Sequence, residues 1–306
     1  MMQNNRLSHV TNIYKPEKIT IKGNVYILTL RDGKKIVLKE KNNNVIKAYN
    51  YLENRNMDCF VPIIDNNRDT FYVYPYLVDN NTLKEQKALD IAKTVGLMHA
   101  KTSFFKDVDK SKYDDIYDSI LDNINYIKEY YSSLYDSIIF KEYYNPFENL
   151  FIDYYSKINN ACEFSLNELE KWHDLIFDKE KQRVTLVHNN LRLSHFIEND
   201  NNNYLISFDK SKIDSPIIDL VTFYKNEYDN INFVEVFEKY LYSFNLNSDE
   251  LDLFFSLISL PWKVSVTNNH YIDTSKLYEL IHYLNKTEEL IRPYYSNDEK
   301  EEEWYL

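Results

Sequence analysis

Glycine is almost missing from this 306-residue chain, which contains three. A loop that wraps phosphates with backbone amides needs residues without a Cβ, so a multi-glycine phosphate cradle is excluded. GxxxxGK[ST] and GxGxxG are both absent, as are HExxH and GxSxG. Cysteine is equally scarce: Cys59 and Cys162 stand far apart with no CxxC between them, which argues against a disulfide framework or a zinc site and for two buried thiols. Positive charge is in deficit, with 36 basic against 48 acidic residues and a net charge of -12. Such a balance lacks the basic field of a nucleic-acid binder and serves solubility. No run of 18 apolar residues occurs, and the opening MMQNNRLSHVTNIY has no signal-peptide core. The expectation is a cytoplasmic protein with no membrane span and no nucleic-acid partner.

What is present is a large reserve of core-forming residues. Hydrophobic content of 44%, aromatic content of 16% and 28 tyrosines place the chain among globular proteins despite its asparagine-rich appearance. Its length suits one domain or two packed lobes. No internal repeat is evident.

Residues 17–40 contain three alternating apolar runs separated by Gly23-Asn24 and Arg31-Asp32-Gly33, the pattern of three antiparallel strands with tight turns. A helix follows over 44–55, with Val45, Ala48, Tyr49 and Leu52 on one face. Cys59 to Ile64 and Thr70 to Tyr76 read as two further strands, which would make a five-stranded lobe. From Thr82 onward helical periodicity dominates: 81–101 with Asn81 or Thr82 as cap, 113–131, 147–177, then 234–244, 249–266 and 274–291. His99 and the Trp172-His173 pair read as structural residues near helix ends, where the dipole favours a cation. The acidic run 298–306 reads as a solvated tail.

One segment carries chemistry. Residues 188–220, HNNLRLSHFIENDNNNYLISFDKSKIDSPIIDL, place His188 and Asn190 in a loop, then a hairpin. A strand, Tyr204 to Phe208, then ends at Asp209, and Asp219 follows a Ser215-Pro216 helix start. Phosphoryl transfer needs this order: a loop presents a group to the acceptor hydroxyl while a nearby strand end presents a carboxylate to the metal on the nucleotide.

On these residues the chain resembles the aminoglycoside phosphotransferase and choline kinase-like superfamily, closest in look to bacterial spore-coat kinase-like proteins. The superfamily loop reads HxDxxxxN and its metal strand ends in a hydrophobic-Asp pair, matched here by His188 and by Phe208-Asp209. The ending Leu97-Met98-His99 is similar to the family's LxxLH helix close. The resemblance implies an α+β, protein-kinase-like bilobal fold, with residues 1–78 as a small antiparallel sheet lobe and 79–306 as a larger helical lobe. It assigns Lys39 to the nucleotide phosphates, Asp209 to nucleotide and metal, and the Pro75-Tyr76-Leu77-Val78 stretch to the hinge. Asp219 stands either as a support of the catalytic loop or as an acid matched to the helix dipole.

The chain departs from that pattern at defined places. Asn190 stands where the family has its catalytic Asp, and an amide can accept a hydrogen bond from a hydroxyl but cannot take its proton near neutral pH. His195 stands where the family has a metal-binding Asn, and an imidazole beside Asp209 would favour Mn²⁺ or Zn²⁺ over Mg²⁺. No acid lies between Val45 and Leu52 to pair with Lys39. The expected function is therefore a pseudokinase with a degraded phosphotransfer site, binding a ligand or serving a structural role. The alternative is an ATP-dependent small-molecule phosphotransferase. The implied cofactor is ATP with Mg²⁺ or Mn²⁺ unless nucleotide use has been lost, and the implied partners are a nucleotide and a small hydroxylated substrate or a protein.

Overall fold

The computed structural model describes residues 12–65, 70–80, 82–200, 202–267 and 269–295. The acidic run 298–306 and the first eleven residues lie outside them, as does Asn81.

Four strands form the small lobe's sheet: β1 (Lys18–Lys22), β2 (Val25–Thr29), β3 (Lys35–Glu40) and β4 (Phe71–Pro75), antiparallel in the order β1-β2-β3-β4. Gly23, at φ 57°, closes the β1–β2 turn, and Gly33, at φ 81°, the next; both are backbone states that a Cβ disfavours. Two of the chain's three glycines are thus spent on turns. Side-chain parity then sorts the two faces. Leu28, Ile36 and Leu38 pack with Phe71 and Val73 in a small core, while Val25, Ile27, Val37 and Lys39 point to the other face and line a cleft. Because Val25 pairs with Lys39 and Ile27 with Val37 across the β2–β3 ladder, the lysine is the polar end of an apolar row.

The expected fifth strand does not form. Around Pro62, which has no N–H to give a ladder, the segment touches β4 only at its end, where Ile64 N–H donates to Val73 O at 2.8 Å. Its other end crosses to the large lobe: Leu205 N–H donates to Cys59 O at 2.6 Å. Cys59 thereby becomes part of the seam between lobes. Both cysteines are free and buried, and burial pushes each thiol up to about 12.

Between β3 and β4 lies α1 (Asn43–Glu53), capped by Asn42, whose side chain accepts from Asn44 N–H. The large lobe begins with α2 (Lys84–Thr102), then β5 (Phe104–Asp107) and two long helices, α3 (Lys110–Ile138) and α4 (Pro146–Phe177). The latter starts in a capping box between Asn145 and Glu148, with Pro146 in the first turn. Next come β6 (Lys181–Val187), the hairpin β7 (Phe196–Asn199) and β8 (Asn202–Leu205), and β9 (Lys212–Asp214). β5, β6 and β9 make a second antiparallel sheet, none of whose strands has a counterpart in the sequence reading. Four helices close the chain: α5 (Ile217–Glu227), α6 (Phe233–Ser243), α7 (Ser248–Ser259) and α8 (His270–Ile291).

Several boundaries differ from the sequence reading, among them α3, which runs over Lys110–Ile138 where 113–131 was expected, and three others. α2 begins at Lys84 with Leu83 in the cap position and no side-chain cap. α5 begins at Ile217 with Pro216 as its cap, so Ser215 stands one residue outside the expected position. α7 stops at Ser259 rather than continuing to 266, because Pro261 cannot sit in a helix interior.

Helix packing depends on the third glycine. A Cβ on Gly96 would sit 2.7 Å from Ser243 Cβ and 3.2 Å from Tyr240 O, so α2 and α6 approach at a distance that no larger residue permits. The main core is continuous, running from Val45 and Tyr49 in the small lobe through Phe208 to Phe237 and Leu280. Among the described residues no helix is long and apolar enough to cross a membrane.

Candidate active site

The loop after β6 is held by one buried carboxylate. Asp219, fully buried in the first turn of α5, accepts His188 N–H at 2.7 Å on Oδ2 and Asn189 N–H at 2.6 Å on Oδ1. His99 Nε2 approaches the same Oδ2 at 3.1 Å, and His99 Nδ1 lies 2.7 Å from the Tyr240 hydroxyl. A carboxylate cannot donate, so in the neutral ring Nε2–H donates to Asp219 and Nδ1 accepts from Tyr240. This corrects the reading of His99: its partner is a carboxylate from another helix, and the helix dipole is secondary. Tyr240 was not visible in the sequence as part of this chain of bonds. Asn189, at φ 57°, occupies the left-handed region that asparagine tolerates better than most residues, and its side chain donates to Lys210 O at 3.2 Å.

His188 is fully buried, donates from Nε2 to Ile206 O at 2.7 Å, and stands edge-on to Phe208 at 4.8 Å between ring centres. Its Nδ1 has no hydrogen-bond partner. Desolvation lowers its pKa, so the ring is a neutral brace between the loop and the β8 end. It is not placed as a proton carrier. His195 closes a 3-10 turn, Leu193–His195, one residue before β7, and donates from Nδ1 to Asn190 O at 2.7 Å. Its pKa is also lowered, chiefly by desolvation, which leaves Nε2 with a free lone pair. Asn190 is thus fixed through its own carbonyl.

Asp209 does not end a strand. β8 stops at Leu205, Ser207 turns through a left-handed conformation at φ 70°, and Phe208–Lys210 is a 3-10 turn that carries the carboxylate. Ser211 locks this turn by donating from Oγ to Phe208 O at 2.7 Å. The carboxylate forms an ion pair with Lys39, 170 residues away. The backbone carbonyl of Asp209 accepts from Asn44 Nδ2 at 3.0 Å and from Asn42 Nδ2 at 3.3 Å. The N-terminus of α1 is therefore tied to the turn by two amides, and the first turn of α1 has no acid. The run Asn42-Asn43-Asn44 was the signal that sequence reasoning left unused.

Lys39 also lines a cleft of about 180 Å³. Its walls are Val25, Ile27 and Val37 from the sheet, Val61 from the seam, Tyr74 to Leu77 from the end of β4 and the residues after it, and Ile197, Ile206 and Phe208 from the large lobe. The lining is apolar apart from Lys39, Ser207 and the tyrosine hydroxyls, and Lys39 carries the ion pair to Asp209. A flat aromatic base with an anionic tail matches that lining. Asp209 pairs with Lys39, His195 with the Asn190 carbonyl, and the His188 and His195 rings lie 6.2 Å apart.

For a metal, the described residues contain no group of three or more His, Cys, Asp or Glu side chains able to hold one. What they offer is Asp209, with His195 Nε2 nearby in the same loop system. Mg²⁺ is ordinarily held by one or two carboxylates together with substrate phosphates, so Asp209 fits an ion that arrives with a nucleotide.

No protein-family model and no curated protein sequence matches the chain. Solved structures do match by shape. An aminoglycoside phosphotransferase from Alicyclobacillus acidocaldarius superimposes with a TM-score of 0.61 at 13% identity, over 91% of each chain. Spectinomycin phosphotransferase in its AMP-bound complex gives a TM-score of 0.51 at 14% identity, over 95% of this chain and 94% of the other. With an antiparallel sheet lobe, a larger helical lobe and this agreement in shape, the chain has the bilobal, protein-kinase-like α+β fold of these phosphotransferases.

Proposed function

We propose that this protein is an ATP-dependent phosphotransferase for a small hydroxylated molecule. The observation that carries the reading is the ion pair that Asp209 makes with Lys39, itself a lining residue of an apolar cleft. Lys39 binds the nucleotide phosphates, Asp209 binds the divalent ion that accompanies them, and the hinge at residues 75–78 separates a small lobe, 1–78, from a large lobe, 79–306. ATP with Mg²⁺ or Mn²⁺ supplies the transferable phosphoryl group; His195 Nε2 beside Asp209 adds a nitrogen donor that suits Mn²⁺. The AMP held by the spectinomycin phosphotransferase supports a nucleotide in the slot, and a cytoplasmic setting supplies it.

Asn190 orients the acceptor hydroxyl instead of deprotonating it. Positioning and electrostatics carry most of phosphoryl transfer, while a positioned base is worth about 10²–10⁴-fold, so the reaction is slowed and not abolished. The three bonds fixing the loop backbone at His188 N, Asn189 N and Asn190 O, with the His188 ring bonded to Ile206 O, support a loop kept in working geometry. The amide at Asn190 itself favours a second reading, a pseudokinase that binds nucleotide or a partner in the manner of the spore-coat kinase-like proteins it resembles.

Transfer of γ-phosphate from labelled ATP separates the two. The first reading expects slow turnover that Asp209→Ala abolishes and Asn190→Asp raises by about 10²-fold or more. Absence of turnover in both the native chain and Asn190→Asp, with nucleotide binding intact, selects the pseudokinase.

A further inference from the structure

The turn between β1 and β2 is only Gly23 and Asn24, too short to wrap phosphates with a run of backbone amides. What it does bring to the cleft face is a side chain. Cross-strand partners in an antiparallel pair carry their side chains on the same face, so the register sorts that face into rows. Lys22 pairs with Val25, and Val25 with Lys39. The next row is Thr20, Ile27 and Val37, and the one after it Lys18, Thr29 and Lys35.

The first and third rows stand at opposite ends of the cleft. Val25 and Lys39 line it at the end where Lys39 meets Asp209. At the other end Lys35 lies over the Tyr76 ring, 5.3 Å from its centre. Lys22 and Lys39 are thus the two cations of one row, separated by Val25. With neighbouring strands about 4.8 Å apart, their backbones stand about 10 Å from each other, and each carries a flexible four-carbon stem. A chain of two or three phosphates bridges such a gap. Lys18, four residues along the same strand, is about 13 Å from Lys22.

The two lysines of the row differ in their partners. Lys39 is engaged by Asp209, whereas the Lys22 ammonium has no ion pair or hydrogen bond among the described residues. Glu40 is the one acid in the four strands of this sheet, and as the neighbour of Lys39 it points to the opposite face. The sheet itself therefore offers Lys22 no counter-ion. An anion entering between the sheet and the Asp209 turn would meet both cations.

We infer that Lys22 binds the polyphosphate end of the nucleotide, its side chain supplying the charge that loop amides do not. This role rests on the nucleotide reading of the cleft, and it adds a residue that neither the catalytic loop nor the ion pair contains. Lysines on an edge strand also keep a sheet from pairing with another chain, and β1 is an edge strand with both Lys18 and Lys22 exposed. Edge protection asks the same of the two residues. Phosphate binding singles out Lys22, so Lys18 is the matched control.

The test is isothermal titration of ATP and of adenosine, each with MgCl₂, into the native chain, Lys22→Gln and Lys18→Gln, at about 50 mM and about 300 mM NaCl. At the lower salt Lys22→Gln is expected to weaken ATP binding about fivefold and to leave adenosine binding unchanged. The loss shrinks at the higher salt, where exposed charges are screened. Lys18→Gln is expected to bind both ligands as the native chain does. Both substitutions fall at exposed positions of β1, and unchanged melting temperatures verify that the fold is kept. An equal loss in Lys18→Gln, or a loss that extends to adenosine, overturns the assignment. If ATP binds the native chain and Lys22→Gln alike, the assignment fails while the nucleotide reading stands; if ATP does not bind the native chain, both fall.

Discussion

Tyr240 on α6 donates its hydroxyl to His99 on α2, and His99 passes the constraint to Asp219, whose two oxygens fix the backbone at His188 and Asn189. Three helices thus define one loop. Asp219→Ala leaves two backbone N–H groups and an imidazole N–H unpaired in a dry environment, at an expected cost of about 3–5 kcal/mol. Tyr240→Phe removes one bond at the far end and is expected to cost about 1–3 kcal/mol. Urea denaturation of both variants checks the order, and equal losses would contradict a chain that runs from Tyr240 to the loop.

Gly96→Ala tests how that chain is brought into register. Alanine is the better helix former by about 1 kcal/mol, so a helix without neighbours would gain from the change. Here the new methyl meets Ser243 Cβ at 2.7 Å, and overpacking of about 1–3 kcal/mol outweighs the gain. The variant is expected to be less stable, and Ser243→Gly in the same chain is expected to recover part of the loss, since Ser243 is the last residue of α6. Thermal melts of the single and double variants decide it.

Two ionisable groups, one half-buried and one fully buried, give stability opposite dependences on pH. Asp252 is pushed up to about 6, first by desolvation and then by the nearby Glu168 carboxylate. Its folded pKa lies above the unfolded value, so its charged form is disfavoured in the fold and its stability contribution is lost as pH rises from about 4 to about 6. Asp252→Asn is expected to stabilise the protein at pH 7.5 by about 1 kcal/mol, allowing for its partial exposure to solvent, and to have no effect near pH 3.5. His188 works in the other direction: its pKa is lowered, so stability is full above the usual imidazole value and falls as pH drops through it. Melting temperatures of both proteins across pH 3.5–8 test the two signs together.

The amide clamp on the Asp209 carbonyl gives a further expectation. Asn44→Ala removes the 3.0 Å bond and Asn42→Ala the 3.3 Å bond. Asn42 also caps α1, so Asn42→Ala is expected to lower stability by about 1 kcal/mol, whereas Asn44→Ala is expected to weaken ATP binding with little change in stability. Affinity and melting temperature measured on both variants separate the cap from the clamp.

Much of this arrangement was legible in the residues. The parity of Ile36 and Leu38 against Val37 and Lys39 fixes which way the lysine faces, and the order His188, Asp209, Asp219 states the topology of the site. Other features were not legible because they depend on distant partners. Nothing local marks Tyr240 as the anchor of His99, and Cys59 to Ile64 has the composition of a strand but loses its ladder at Pro62 and joins the other lobe. Asp209 read as a strand end because Ile206 and Phe208 alternate with Ser207 as in a strand; Phe208 instead packs against Tyr49 and His188, next to the left-handed turn at Ser207. The Asn42–Asn44 run was visible, but its meaning required knowing that a carbonyl 165 residues later would lie above it.

The central claim is that Lys39 and Asp209 close a nucleotide site. Isothermal titration of ATP with MgCl₂ or MnCl₂ into the native chain, Lys39→Ala and Asp209→Ala tests it most directly. The expected result is saturable binding by the native protein, weakened at least about tenfold by either substitution while circular dichroism spectra stay unchanged. Absence of native binding, or equal affinity in all three proteins, would contradict it.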